Sequence, residues 1–115
     1  MSAAHHRLDA LTVLIDNNGI QADGDTAEVM GVEPVLGKFR SFGFDGEVID
    51  PYDLDALLGA LRARGDSPRA VVLQTIPGRG VPSFEVNQKV HYIRAPDEVW
   101  VAALDELDAA ARGAL

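Results

Sequence analysis

Three short stretches hold the side chains with which this chain could do chemistry. The first, Asp16-Asn17-Asn18-Gly19-Ile20, follows the apolar run Ala10-Leu11-Thr12-Val13-Leu14-Ile15. Amide and backbone carbonyl oxygens suit a hard cation such as Mg²⁺, which often completes its shell with phosphate oxygens and water. The carboxyl end of a buried strand is also where open α/β sheets bind ligands. The same residues make an ordinary strand-to-loop turn, since Asn and Gly tolerate the backbone that such a turn needs. The second stretch is Thr75-Ile76-Pro77-Gly78-Arg79-Gly80-Val81. Its glycines let the backbone approach a ligand, and Arg79 could meet a phosphate; the alternative is a loop that needs positive φ for its own path. The third is His91, in Lys89-Val90-His91-Tyr92. Its ordinary pKa of about 6.5 suits an acid, a base or a phosphate donor. No carboxylate or nucleophile stands at a telling spacing from it, and loop histidines are commonly just solvated. His5 and His6 are adjacent on a helical stub and project differently, so they do not form a metal pair at i, i+4 spacing.

These residues need elements to position them. Ala10 to Asp16 and Ala70 to Ile76 are nearly continuous apolar runs with β-branched residues, the pattern of strands buried on both faces. Glu47-Val48-Ile49-Asp50 is a shorter strand that Pro51 stops. Ser2 to Leu8 reads as the last turns of a helix, and the second half of Val29 to Phe42 as another, ended by Gly43. Asp53 to Arg64 is the clearest helix: Leu54, Leu57, Leu58 and Leu61 fit the i, i+3, i+4, i+7 template, with Asp53 as cap and Gly65 as stop. A last helix runs from Asp97 to about Arg112, with Trp100, Leu104, Leu107 and Ala111 on one face. Gln21 to Thr26 and the Pro- and Gly-rich stretch from Pro77 to about Pro96 read as loops. Strands alternating with helices predict an α/β fold with a partial, doubly wound parallel sheet. Three strands are few for such a sheet, which usually has about five or six; the chain reads as one cut off at its beginning.

The chain has 115 residues, 47% of them hydrophobic and 24% charged, enough for a single small core and unlike a disordered segment. Its net charge of −8 argues against a general binder of nucleic acid or anionic membrane, which would need a basic stripe. With no cysteine, disulfides, thiolate metal sites and cysteine nucleophiles are excluded. No apolar run reaches the ~18 residues of a membrane span, and the start lacks the apolar core of a signal peptide, so the expected compartment is the cytoplasm.

In order and spacing these segments resemble the thiamine-diphosphate-binding half of transketolases, particularly the bacterial and archaeal enzymes encoded as two subunits. The resemblance begins at Ala3-Ala4-His5-His6-Arg7-Leu8-Asp9 and is most specific over Leu14-Ile15-Asp16-Asn17-Asn18-Gly19-Ile20-Gln21-Ala22-Asp23-Gly24. It continues through Phe39-Arg40-Ser41-Phe42-Gly43-Phe44, Glu47-Val48-Ile49-Asp50, Thr75 to Val81 and the His91 loop, to about Leu107. What it implies is a component of a split enzyme that moves a two-carbon ketol unit between sugars, phosphorylated ones included, with thiamine diphosphate and Mg²⁺. Carried over by position, Asn18 would give Mg²⁺ a side-chain oxygen and Ile20 its backbone carbonyl. Asn17 and Gly19 would shape that cofactor-binding turn, Gly78 and Gly80 would keep their loop close to the cofactor, and His91 would be the catalytic histidine near the diphosphate and substrate.

The departures from the family pattern carry as much information. The cofactor motif of the family opens with Gly-Asp-Gly, and none occurs in the sixteen residues before Asn17. Residues 1–115 are therefore expected to be the C-terminal portion of such a domain. A complementary transketolase subunit would supply that segment and the pyrimidine-binding domain. Where the family has Asp-Gly-His-Asp, this chain has Asp50-Pro51-Tyr52-Asp53, which removes a histidine. The alternative is a non-catalytic pseudoenzyme or interaction module that pairs with a transketolase-like subunit. A related ketol-transfer enzyme such as a deoxyxylulose-phosphate synthase is a third reading, which the two-subunit pattern fits less well.

Overall fold

The computed structural model describes residues 1–85 and 93–113. Along the chain the elements are α1 (Ser2–His5), β1 (Thr12–Asp16), β2 (Ile20–Gln21), β3 (Gly24–Asp25), α2 (Thr26–Val29), α3 (Val35–Ser41), β4 (Asp45–Ile49), α4 (Leu54–Arg62), β5 (Arg69–Leu73), α5 (Pro82–Glu85) and α6 (Asp97–Gly113). They fall into two compact units, one made of Met1–Asn18 and Met30–Thr75, the other of Gly19–Val29 and Ile76–Leu115. Among the described residues no helix is long and apolar enough to cross a membrane.

The first unit is built on a three-stranded sheet in the order β1-β5-β4. Both pairings are parallel, with Thr12 to Asp16 opposite Arg69 to Leu73 on one side and Asp45 to Ile49 opposite the same residues on the other. This confirms the expected partial parallel α/β sheet. The central strand, β5, is buried at Ala70, Val71 and Val72, which point alternately to the two faces. The chain goes from β1 past β5 to β4 and then returns to β5, so right-handed crossovers place α3 and α4 on opposite faces. On one face Leu57 and Ala60 of α4 pack with Ile49, Val71 and Leu73. α3 packs on β4 and β5, and its Phe39 meets Phe44 edge to face with ring centroids 5.3 Å apart. At the amino end of the sheet the buried guanidinium of Arg69 donates to Asp45 Oδ2 at 3.2 Å and to Glu47 Oε1 at 2.7 Å. That pairing keeps a charged residue in a strand that is otherwise apolar.

The four leucines of α4 do not share one buried face: Leu54, Leu58 and Leu61 are exposed, while Leu57 and Ala60 face the sheet. A single helix meets a sheet along one line, here the i, i+3 pair Leu57 and Ala60, and the other three leucines run along the neighbouring line. Asp53 caps α4 as expected, accepting from the Asp55 and Ala56 N–H groups at 3.0 Å.

The second unit holds a two-stranded antiparallel ribbon, β2 with β3, followed directly by α2. Gln21 to Thr26, expected as a loop, is therefore a short hairpin closed by the two-residue turn Ala22-Asp23, with Gly24 at φ 145°. With only two residue pairs, and Gly24 and Asp25 as its second strand, so short a ribbon carries no apolar alternation to reveal it. The Pro77 to Pro96 stretch likewise contains one helical turn, α5, which starts at Pro82. Proline suits the opening of a helix, where its missing N–H has no partner to lose. Phe84 of α5 meets Trp100 of α6 edge to face with centroids 5.5 Å apart.

Two glycine substitutions check the packing of the sheet. A Cβ on Gly46 would lie 1.8 Å from the Ala70 carbonyl oxygen, whereas one on Gly59 of α4 would meet nothing within 4 Å. Gly46→Ala is therefore expected to cost about 2 kcal/mol or more, since backbone rather than a flexible side chain must move. Gly59→Ala is expected to stabilise by about 0.5–1 kcal/mol through helix propensity and a less flexible unfolded chain. Thermal melts of the two variants beside the parent chain check both signs.

Candidate functional site

At the carboxyl end of the sheet, in the first unit, the chain leaves β1 through Asp16 and Asn17. The Asn17 N–H donates to the Leu73 carbonyl at 2.9 Å, carrying the parallel ladder one residue beyond the strand. The Thr75 hydroxyl donates to Asp16 Oδ1, so the first residue of the Thr75 to Val81 stretch meets the first residue of the Asp16 to Ile20 stretch. The Asn17 side chain is also held: its Nδ2 donates to Glu33 Oε1 at 2.6 Å. The second oxygen of Glu33 accepts from the Val35 N–H at 2.9 Å. The Val35 N–H, then the Asn17 amide and the charge of Lys38, hold the Glu33 carboxyl below the usual carboxylate range. Nearby, Lys38 Nζ donates to the Val32 carbonyl at 2.6 Å.

Glu33 is the residue that sequence reasoning missed. The signal for it is local. α3 has Pro34 at its N-cap, and proline offers no side-chain acceptor to the orphan N–H groups of a first turn. An acidic residue immediately before such a proline is placed to take one of them. Glu33 does so, and its other oxygen reaches sixteen residues back to the turn after β1.

The candidate residues divide between the units. Asn17 and Asn18 close the first segment of the first unit, and both are half-buried. Gly19 and Ile20 open the second unit. There Gly19 has φ 73°, a left-handed conformation that glycine adopts without strain, and its carbonyl accepts from the Thr26 N–H at 2.8 Å. Ile20 stands opposite Asp25 in the β2–β3 ribbon, so its backbone is fixed by strand pairing rather than left to a loop.

Gly78 and Gly80 also lie in the second unit, with φ of 75° and 95°. A Cβ on Gly78 would come within 2.7 Å of Phe84 Cβ, and the Gly80 N–H donates to Glu85 Oε1 at 2.9 Å. Packing of their loop onto α5 thus accounts for the backbone these glycines adopt. Arg79 Nε lies 4.0 Å from Glu85 Oε1, so a carboxylate already stands beside the group expected to meet phosphate. His91 lies outside the described residues. Asp50-Pro51-Tyr52-Asp53 serves the fold: Asp50 Oδ1 accepts from the Tyr52 N–H at 2.9 Å, and Asp53 caps α4.

The donor chemistry of the Asn17 to Ile20 turn suits Mg²⁺. Among the described residues no group of three or more His, Cys, Asp or Glu is placed to hold a metal. The turn instead offers amide and carbonyl oxygens, which fit an ion that keeps water and phosphate in its shell.

Comparison with known proteins agrees with this architecture. The model of the thiamine diphosphate binding domain of transketolase matches residues 1–102. A transketolase family protein of Sinorhizobium fredii is 35% identical over 113 residues, which are 95% of this chain and 40% of that protein. A 6-deoxy-6-sulfo-D-fructose transketolase subunit of a Clostridium species is 36% identical over 112 residues, 94% of this chain and 40% of the subunit. A transketolase crystal structure from Campylobacter jejuni shares the fold, with a TM-score of 0.77 at 24% identity, over 93% of this chain and 17% of that one. The chain thus spans about 40% of the length of these first two relatives. By its match to the family over most of its length, the chain belongs to the transketolases, as part of their thiamine-diphosphate-binding domain.

Proposed function

We propose that residues 1–115 form the C-terminal portion of a thiamine-diphosphate-binding domain in a split transketolase, and that the complete assembly transfers a two-carbon ketol unit between sugars, phosphorylated ones included. The observation that carries this reading is the turn after β1, where the side chain of Asn17 is tied to Glu33 in a chain of this family. Relatives named as transketolase subunits support a two-part enzyme, among them an apulose-4-phosphate transketolase subunit of Phocaeicola vulgatus. The complementary polypeptide would supply the Gly-Asp-Gly segment and the pyrimidine-binding domain. We place the assembly in the cytoplasm.

When bound, thiamine diphosphate supplies the electron sink that ketol transfer requires. The residues of this chain would hold its diphosphate through Mg²⁺, Asn18 with its side-chain oxygen and Ile20 with its backbone carbonyl. Asn17 cannot swing toward the ion while its amide is engaged by Glu33, so its part is to fix the path of the chain into Asn18. Gly19 permits the backbone turn between the two ligands. Gly78 and Gly80 keep their loop near the cofactor, and His91 orients a substrate oxygen or moves a proton at it. A non-catalytic pairing module is the second reading, favoured by the absence of a histidine from Asp50-Pro51-Tyr52-Asp53.

The test is ketol transfer by the purified chain combined with candidate complementary subunits, with and without thiamine diphosphate and Mg²⁺. Asn18→Ala in the active assembly is expected to lower activity by about 100-fold or more, and Glu33→Ala, which acts through Asn17, by about 10–100-fold. Unchanged activity in Asn18→Ala would remove the metal role. A sharp, cofactor-shifted melting transition from the chain alone would show that it needs no partner to bind.

Glu33 also gives a pH prediction. Its carboxyl in the folded chain titrates below its ordinary value, so its contribution to stability is complete above that ordinary value. The contribution is lost as the pH falls through the lowered folded value. Carbon-detected NMR titration of the Glu33 carboxyl is expected to show this lowered midpoint. In Asn17→Ala the midpoint is expected to move part of the way back up, because the Val35 N–H remains.

A further inference from the structure

The chain has three asparagines, and among them Asn18 alone stands before a glycine. That order carries a reaction of its own. The main-chain nitrogen of the residue after an asparagine can attack the asparagine's amide carbon, unless a side chain on that residue hinders it. Glycine has no such side chain. Asparagine is for this reason among the thermolabile residues of proteins.

The two asparagines of the turn are placed differently for this reaction. Asn17 gives its side-chain Nδ2 to Glu33 Oε1 at 2.6 Å and its N–H to the Leu73 carbonyl at 2.9 Å. The residue after it also bears a side chain, so its amide is held and the neighbouring nitrogen is shielded. The ladder to β5 ends on that Asn17 N–H, while the bonding of the ribbon begins at the Gly19 carbonyl, which accepts from the Thr26 N–H. The Gly19 nitrogen lies along the chain between those two bonds. Gly19 is exposed and Asn18 half-buried, so water reaches the pair. A Cβ on Gly19 would meet nothing within 4 Å, so the peptide there can move without displacing a neighbour.

We propose that Asn18-Gly19 is a self-modification site, at which the unassembled chain deamidates with water as its only co-reactant. The Gly19 nitrogen forms a bond to Asn18 Cγ, and the bond from Cγ to Nδ2 breaks. The proton of the Gly19 N–H goes to the departing nitrogen, which leaves as ammonia. Water then opens the resulting succinimide ring at either of its carbonyls, leaving an aspartyl or an isoaspartyl residue at position 18. Resting on the split-enzyme reading above, the consequence is that unassembled chain ages into two forms. The aspartyl form keeps a side-chain oxygen at the same reach, and a carboxylate suits a hard cation. The isoaspartyl form carries the main chain through the former side chain, which moves the Ile20 carbonyl away from its place.

The full chain, incubated in mildly alkaline buffer, is followed by peptide-resolved mass spectrometry and by ammonia release, with a synthetic peptide from Leu14 to Gly24 as the unfolded reference. Position 18 is expected to gain the mass of an amide-to-acid change at a rate within about 10-fold of the peptide's, the cost of breaking about one hydrogen bond. Asn17 should stay unchanged. Asn18→Gln, whose ring would be larger and slower to close, should show neither the mass gain nor the ammonia. Isomerisation at Asp23-Gly24 or Asp45-Gly46 changes no mass and releases no ammonia, so it cannot mimic the signal. A folded chain that stays unmodified while the peptide deamidates would overturn the proposal, as would modification of Asn17 in preference to Asn18. The two aged forms are then separated and combined with a complementary subunit, and the isoaspartyl form is expected to lose cofactor-dependent ketol transfer. Equal activity of both forms would overturn the consequence drawn for the cation and leave the modification standing. No activity from any combination of unaged chain would overturn the split-enzyme reading alone.

Discussion

Burial of β5 between β1 and β4 is the constraint on which the first unit depends. Ala70, Val71 and Val72 are inaccessible from either face, which requires one helix above and one below and a partner strand on each side. Gly46 lets β4 approach so closely that no other residue fits opposite Ala70. Arg69 begins the same strand and draws Asp45 and Glu47 to it, so the one charged residue of β5 reinforces the register that its apolar residues require. The parallel ladder with β1 then carries Asp16 and Asn17 to the carboxyl end of the sheet, where the candidate turn begins. The position of the site is a consequence of which strand is buried deepest.

That turn is held from three directions within the first unit. The backbone of Asn17 is tied to β5, its side chain to Glu33, and its neighbour Asp16 to Thr75. Glu33 in turn is anchored by the first N–H of α3, so the helix that crosses the sheet also fixes the residue that holds the turn. Such support would matter to a turn that held a metal, because groups that hold a ligand residue in place decide much of its affinity for an ion. The lowered carboxyl of Glu33 follows from the same contacts: a carboxylate accepting two N–H bonds resists protonation.

The strands and the main helices were legible in the sequence because their signals are redundant. Val71 and Val72 sit in a nearly continuous apolar run, and α4 has both its leucine repeat and the Asp53 cap. What escaped are features set by one contact or one turn. The β2–β3 ribbon has two pairs and no apolar alternation, and α5 is a single turn inside a segment rich in Pro and Gly. The exposure of Leu54, Leu58 and Leu61 could not be read either, since a helical period shows that a stripe is apolar but not how wide a surface it meets. Glu33 has a local signal in its bond to the Val35 N–H, but its tie to Asn17 spans sixteen residues and no pattern along the chain marks it. The family was legible because its motifs occur in order, while the roles of Asn18, Ile20 and His91 rest on that order alone.

The glycines of the second unit show how the two kinds of reading should be weighed. A Gly-x-Gly after a strand suggests a loop that lets backbone approach a phosphate, and here Gly78 and Gly80 do adopt the positive φ that such a loop uses. Yet the close approach that excludes a Cβ at Gly78 is to Phe84, and the partner of the Gly80 N–H is Glu85. A residue whose special conformation is already required by packing provides little independent evidence for a ligand. Gly19 differs, because its added Cβ would meet nothing within 4 Å, so packing of that atom gives no reason for glycine there. What remains is the backbone itself: φ of 73° between two polar asparagines and the first residue of a ribbon. Of the glycines proposed for the cofactor, Gly19 is therefore the one whose conformation argues for the turn rather than for the core.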